Sequence, residues 1–397
     1  MKRSFSKGTG LAVAGTALVA VTYGLVRLAY GLVLPDVQAD LGFGAALAGG
    51  ISAGASAMYC VGAVIGFLAA TRHPRSLVVL AASTAAVGAA GMAWSHDATT
   101  FGVAAVLSST GAGAASPALV RLVARNTAPG RVPRAQAVVN AGTGPGLVGA
   151  GLLALAVLPE WRTAWFVAAA CSVLAGVAVL GTDHRGRDDR TEHGRDDTSE
   201  RGHADTTERG HADMTERAER PERPTGSWFV AHRRLLLAAL LLGAGSAAVW
   251  NYGRSVLVDA GVDREASITA WIALGLGGAA VVVTSRWTGT MRPARLWGIS
   301  VTAVVVGSLA LAVVPGAVPV ALVACLVFGW GYTAATGALI AWTTEIDPDR
   351  ASAGTSMLFV TLVLGQALGA AAAGAVTAFA LAALVGLASA PAAGPRH

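Results

Sequence analysis

Long apolar runs from which charge has been expelled constrain this chain more than any other feature. Twelve such runs can be marked, near 10–34, 45–70, 77–95, 100–124, 135–158, 163–181, 235–258, 267–285, 294–314, 318–344, 353–372 and 375–390. They are about 15–26 residues long, and a helix of roughly 20 apolar residues crosses the hydrocarbon core of a bilayer. Of 52 formally charged side chains, 24 fall within residues 182–234, leaving 28 for the other 344 positions. The expected fold is therefore all-α and integral to the membrane, with twelve transmembrane helices. They form two six-helix bundles, 1–181 and 235–397, joined by a charged loop over 182–234.

The placement of basic residues orients the spans, because Lys and Arg collect at cytoplasmic ends. If the N-terminus is cytoplasmic and the spans alternate, 25 of the 29 basic residues lie on the inner side. Two, Arg162 and Arg264, lie outside among Asp36, Asp40, Asp97, Glu160, Asp259, Asp263 and Glu265. The reading is a multi-pass plasma-membrane protein with both termini cytoplasmic. Its net charge of +6 reflects topology and implies no nucleic-acid partner. The expected partners are the lipid bilayer and a small-molecule substrate, bound by a monomer. The middle loop nearly repeats Thr198–Asp205 as Thr206–Asp213 and is almost free of apolar residues, so it is expected to be disordered. Its histidines (His184, His193, His203, His211 and His232) read as repeat drift rather than a metal site. Cys60, Cys171 and Cys325 fall inside apolar runs without CxxC spacing, so they form no disulfide framework. No cofactor is expected, although a coupling ion of unspecified identity is compatible with the pattern. No span carries a Ser/His/Asp set or a paired carboxylate, so the chain does not read as an enzyme.

Two charges remain inside spans, Arg27 and Arg254. An arginine there costs about 2.5–3.5 kcal/mol on insertion scales and calls for a reason. Tyr23, Arg27 and Tyr30 lie at i, i+4 and i+7, on one helical face that either lines a cavity or lets Arg27 snorkel outward. Trp250, Asn251, Tyr252 and Arg254 form the matching cluster in span 7. Each arginine is 20 residues beyond a basic residue, Lys7 or Arg234, which suggests similar depth. No Asp or Glu falls in the middle of a span, so the two arginines are expected to meet an anion, carbonyl oxygens or water. Arginine suits paired carboxylate or phosphate oxygens.

The two halves also look alike. Gly111-Ala112-Gly113 in span 4 and Gly329-Trp330-Gly331 in span 10 are each followed by a polar loop with a proline, Pro129 or Pro348, and a glycine-rich span. This pattern resembles the major facilitator superfamily, which implies substrate binding between the halves and alternating access. Tyr23-Gly24-Leu25-Val26-Arg27 with Pro35 eight residues on, and Arg254 with Asp259 five residues on, are similar to spans 1 and 7 of its organophosphate:phosphate antiporters. Gly66-Phe67-Leu68-Ala69-Ala70-Thr71-Arg72-His73-Pro74-Arg75 resembles the superfamily's loop between spans 2 and 3, with Ala70 and His73 in place of its aspartate and second glycine. Leu107 stands where span 4 of proton-coupled members carries an arginine. Gly144, Pro145 and Gly149 resemble the antiporter motif of span 5. The resemblance implies conformational roles for Gly66, Arg72, Arg75, Gly144, Pro145 and Gly149. Asn140 and Gln366 occupy corresponding places in spans 5 and 11 and either line the cavity or join helices; Tyr332 adds a polar stripe on span 10. Trp271 and Trp330 are candidate cavity walls, and Trp94, Trp161, Trp165 and Trp287 read as interface anchors. The implied activity is secondary transport of a small organic anion by symport or exchange. Alternatives are an exporter of hydrophobic compounds and a transporter-like sensor that uses the charged loop to bind a partner.

Overall fold

The computed structural model describes residues 2–128, 131–183, 226–348 and 351–372. These are nearly all helical, and no strand occurs among them. Among the described residues, eleven helices are long and apolar enough to cross a membrane. They are spans 1 (Gly10–Leu41), 2 (Ala45–Ala69), 3 (Pro74–Trp94), 4 (Ala98–Asn126), 5 (Val138–Val157) and 6 (Trp161–Thr182), then 7 (Gly226–Asp259), 8 (Arg264–Thr288), 9 (Pro293–Val313), 10 (Val318–Ile346) and 11 (Gly354–Ala372). The expected twelfth span and residues 184–225 of the charged loop lie outside the described residues.

Helix starts follow local chemistry. The Asp97 carboxylate accepts from the Thr99 and Thr100 amides at 2.9 and 2.8 Å, and Asp263 accepts from the Ala266 amide at 2.8 Å. Pro74 and Pro293 occupy first turns, where a missing N–H costs nothing. Spans 1–6 pack on one another, with span 4 against spans 2 and 3 and span 6 against span 3. Span 7 packs on span 11, and span 10 on spans 8 and 9. Among the described residues the two groups meet along three seams, where span 5 touches span 8, span 2 touches span 11, and the Ala29–Leu41 part of span 1 touches span 7.

Hydrophobic attraction between helices is weak in lipid, so close packing of small residues drives association. Span 5 illustrates this on two sides. Gly146 lies on Ala20 and Gly24 of span 1, while Gly144 and Gly151 face Ala279 and Ile272 of span 8. A Cβ at Gly144 would come within 3.1–3.2 Å of Ala279. The glycine-proline motif thus sits at a seam between the halves, and Pro145 follows the break at Ala141-Gly142 that divides the span into Val132–Asn140 and Thr143–Val157. Gly149 is near only the Leu25 side chain.

Several expected boundaries and placements change. Span 1 continues past Pro35 to Leu41, and its middle, Ala20–Leu28, is a π-helix. Span 7 begins at Gly226, not near residue 235, and takes in His232, whose ring stacks on Trp228 at 3.9 Å instead of lying in the loop. Trp161 and Trp165 are buried in the bundle and are not interface anchors, whereas Trp94 and Trp287 are exposed.

Candidate functional site

A small cavity opens beside the π-helical stretch of span 1. It has a volume of about 40 Å³ and is lined by Arg27 and Tyr30, by Ser52 and Ser56 of span 2, by Ser108 and Ser109 of span 4, and by Trp250, Asn251 and Gln366 from the other half. A π-helix accommodates one more residue per turn than an α-helix and changes which side chains share a face. Tyr23 and Arg27 therefore stay together, while the Tyr30 hydroxyl turns to the Ala48 carbonyl at 3.0 Å and its ring stacks on Phe101.

Arg27 is held in a neutral cage. Its Nη2 donates to Gln366 Oε1 at 3.0 Å and, over a long 3.4 Å, to Ser56 Oγ. Its guanidinium lies 4.7 Å above the Tyr59 ring, a cation–π contact. Tyr59 is fixed by the Tyr23 hydroxyl at 2.8 Å, which also meets Ser116 Oγ at 3.1 Å. Gln366, 5% exposed, donates from Nε2 to the Tyr332 hydroxyl at 3.0 Å, so a chain of polar groups runs from span 1 through span 11 to span 10. The Arg27 Nε and Trp250 Nε1 hydrogens are buried and find no acceptor among the described residues. No lining residue is acidic. Beyond Trp250 the wall is aromatic, with Tyr332 at 5.1 Å, Phe328 at 5.7 Å and Trp271 at 6.2 Å.

Arg254 is elsewhere. Gly31 lies against Trp250 and Asn251, so Arg27 is level with the region of Ser246, and Arg254 is about 11 Å further along the axis. The expectation of equal depth fails because span 7 starts well before Arg234, so counting from the last basic residue misplaces it. The expected lack of a carboxylate partner fails too. Arg254, 2% exposed, is ion-paired with Asp36, and Arg264 approaches the same carboxylate at 3.6 Å. Arg254 also donates to the Leu32 carbonyl at 2.6 Å and to Ser267 Oγ at 3.2 Å. These contacts join spans 1, 7 and 8. Tyr252 ties span 7 to span 2, donating to the Ala45 carbonyl at 3.2 Å, and Ser52 and Asn251, both lining the cavity, are hydrogen-bonded across the halves.

The remaining predicted residues fall outside the cavity. Asn140 is exposed and accepts from Gln136 at 3.4 Å. Trp330 donates to Thr284 Oγ1 at 3.0 Å. Gly66 packs on Pro117 of span 4, Arg72 is exposed, and Arg75 reaches Asp183 at 2.8 Å. Asp183, fully buried at the end of span 6, is also bound by Arg125 and by Asn126 at 2.9 Å. Sequence reasoning missed the serines and Tyr59. Ser52, Ser56 and Tyr59 share the i, i+4, i+7 spacing that singled out Arg27's face, and that spacing was the available signal.

A family model described as Major Facilitator Superfamily matches residues 16–370. The chain belongs to the major facilitator superfamily. It is accordingly a multi-pass membrane protein and a secondary transporter. Solved structures share the fold. They include the nucleoside transporter NupG (TM-score 0.71, 14% identity, 98% of this chain and 97% of that one) and a D-xylose–proton symporter (0.74, 12%, 96% of each). Another is a POT family transporter in complex with 5-aminolevulinic acid (0.72, 11%, 97% and 94%). No curated protein matches the chain by sequence.

Proposed function

We propose that this transporter moves a small organic anion by alternating access between its two bundles, in the plasma membrane and with its basic loops cytoplasmic. The observation that carries the reading is Arg27, a cation in a cavity with no acidic lining residue, whose buried Nε has no acceptor among the described residues. A carboxylate would satisfy Nε and Nη2 together in the bidentate geometry arginine favours. Because Asp36 already neutralises Arg254, the cavity offers one positive charge and suits a single negative one. This narrows the expected small organic anion, carboxylate or phosphate, towards monocarboxylates. At about 40 Å³ the cavity holds a few waters and is smaller than an organic solute needs, so the substrate is admitted when the halves separate.

The test is thermal stabilisation of the purified protein by carboxylates, phosphate esters and neutral ligands, since a ligand that binds only the folded state raises Tm by mass action. Stabilisation by monocarboxylates that disappears in Arg27→Ala and survives in Arg254→Gln is expected. The aromatic cluster around Trp250 favours a second reading, an exporter of hydrophobic compounds. Stabilisation by neutral aromatic ligands, equal in wild type and Arg27→Ala, would establish it in place of the first.

A further inference from the structure

Gln366 holds the position on Arg27 that a ligand's oxygen would take. Its Oε1 accepts from Nη2 at 3.0 Å, yet Gln366 belongs to span 11 and Arg27 to span 1. The amide is held from behind, because Nε2 is tied to the Tyr332 hydroxyl on span 10. That second bond fixes which end of the amide faces the arginine. Nearby, Cys60 of span 2 donates to the Val360 carbonyl of span 11 at 3.8 Å, so the Arg27–Gln366 bond lies along a seam that must part for transport.

Resting on the reading that Arg27 binds an anion, we propose that Gln366 is a built-in competitor for it. In the empty transporter the neutral amide oxygen occupies the guanidinium and links the halves. An arriving carboxylate, being charged, is the stronger acceptor and displaces it. Displacement releases span 11 from span 1, so binding itself loosens the seam. The amide rather than an acid at position 366 is essential. A tethered carboxylate would neutralise Arg27 permanently and shut anions out, whereas an apolar residue would leave the site unopposed.

The experiment measures affinities of benzoate, lactate and pyruvate from thermal stabilisation of the full-length protein, with benzamide as the neutral control. Wild type, Arg27→Ala, Gln366→Glu and Gln366→Ala are compared. For an anion whose binding depends on Arg27, Gln366→Glu should weaken affinity at least about tenfold, the scale of a lost hydrogen bond to a charged group. Gln366→Ala should tighten it by about threefold, the scale of one competing neutral bond removed. The opposite signs separate competition from a structural role, which would weaken binding in both variants. If Gln366→Glu does not fold, Gln366→Ala alone decides: tighter binding supports competition, and equal or weaker binding overturns it. If no anion's binding depends on Arg27, the anion reading itself falls and competition falls with it.

Discussion

Single residues decide how the charges in this molecule are used, and two arginines that look alike in sequence do different work. Arg27 was legible because an arginine in an apolar run is costly and Tyr23 shares its face. The role of Arg254 was not, because its partner Asp36 lies beyond a proline that reads as the end of span 1. Removing one member of a buried pair leaves an uncompensated charge and costs about 3–5 kcal/mol. Arg254→Gln is therefore expected to lower Tm markedly while the surviving folded fraction keeps its anion selectivity, as read from the same ligand panel. Asp183 answers to pH. Burial opposes its ionisation, but hydrogen bonds from Asn126, Arg125 and Arg75 outweigh that and hold its carboxyl below the usual value. A depressed value means the contribution is complete above the unfolded carboxylate value near 3.9 and is lost as pH falls through the lower folded one. Asp183→Asn should lower stability by about 1–3 kcal/mol near neutrality, and the difference from wild type should shrink in strong acid, as followed by pH-resolved melting.

At the scale of elements, hydropathy located eleven of the twelve expected spans because each must hide its backbone from lipid, and helical hydrogen bonding does so regardless of side-chain detail. Rotation and register were less legible. The π-helical stretch Ala20–Leu28 redirects Tyr30, and nothing in Ala20-Val21-Thr22-Tyr23 announces it. The break in span 5 likewise took Asn140 out of the candidate site, although Asn140 and Gln366 correspond in sequence. The glycines of that span were conspicuous, but that they face both bundles follows only from packing. Gly144→Val tests their role. Its branched side chain must push Ala279 away, so transport should slow severalfold in reconstituted vesicles with ligand stabilisation retained. A loss of ligand stabilisation instead would place the damage in the site and not at the seam.

For the whole molecule, twofold organisation was visible from the Gly111-Ala112-Gly113 and Gly329-Trp330-Gly331 echo and from the family pattern, whereas the joining of the halves was not. Among the described residues three seams connect them, and the one between spans 1 and 7 contains the buried Asp36–Arg254 pair, steadied by Arg264 and the Leu32 carbonyl. Asp36→Asn should loosen that seam. A near-isosteric cysteine in place of the buried, cavity-lining Ser52, in a background lacking Cys60, Cys171 and Cys325, would then react faster with an impermeant thiol reagent added outside. An unchanged rate would show that the pair does not hold the outer face shut. The fastening also bears on how measurements from the two faces compare. For a solute that can reach Arg27 only past that seam, the apparent dissociation constant would be the intrinsic one divided by the fraction of molecules in which the seam is open. Affinity measured along that route would report the clasp as much as the pocket, and weakening the clasp would sharpen it without altering any atom that touches the solute.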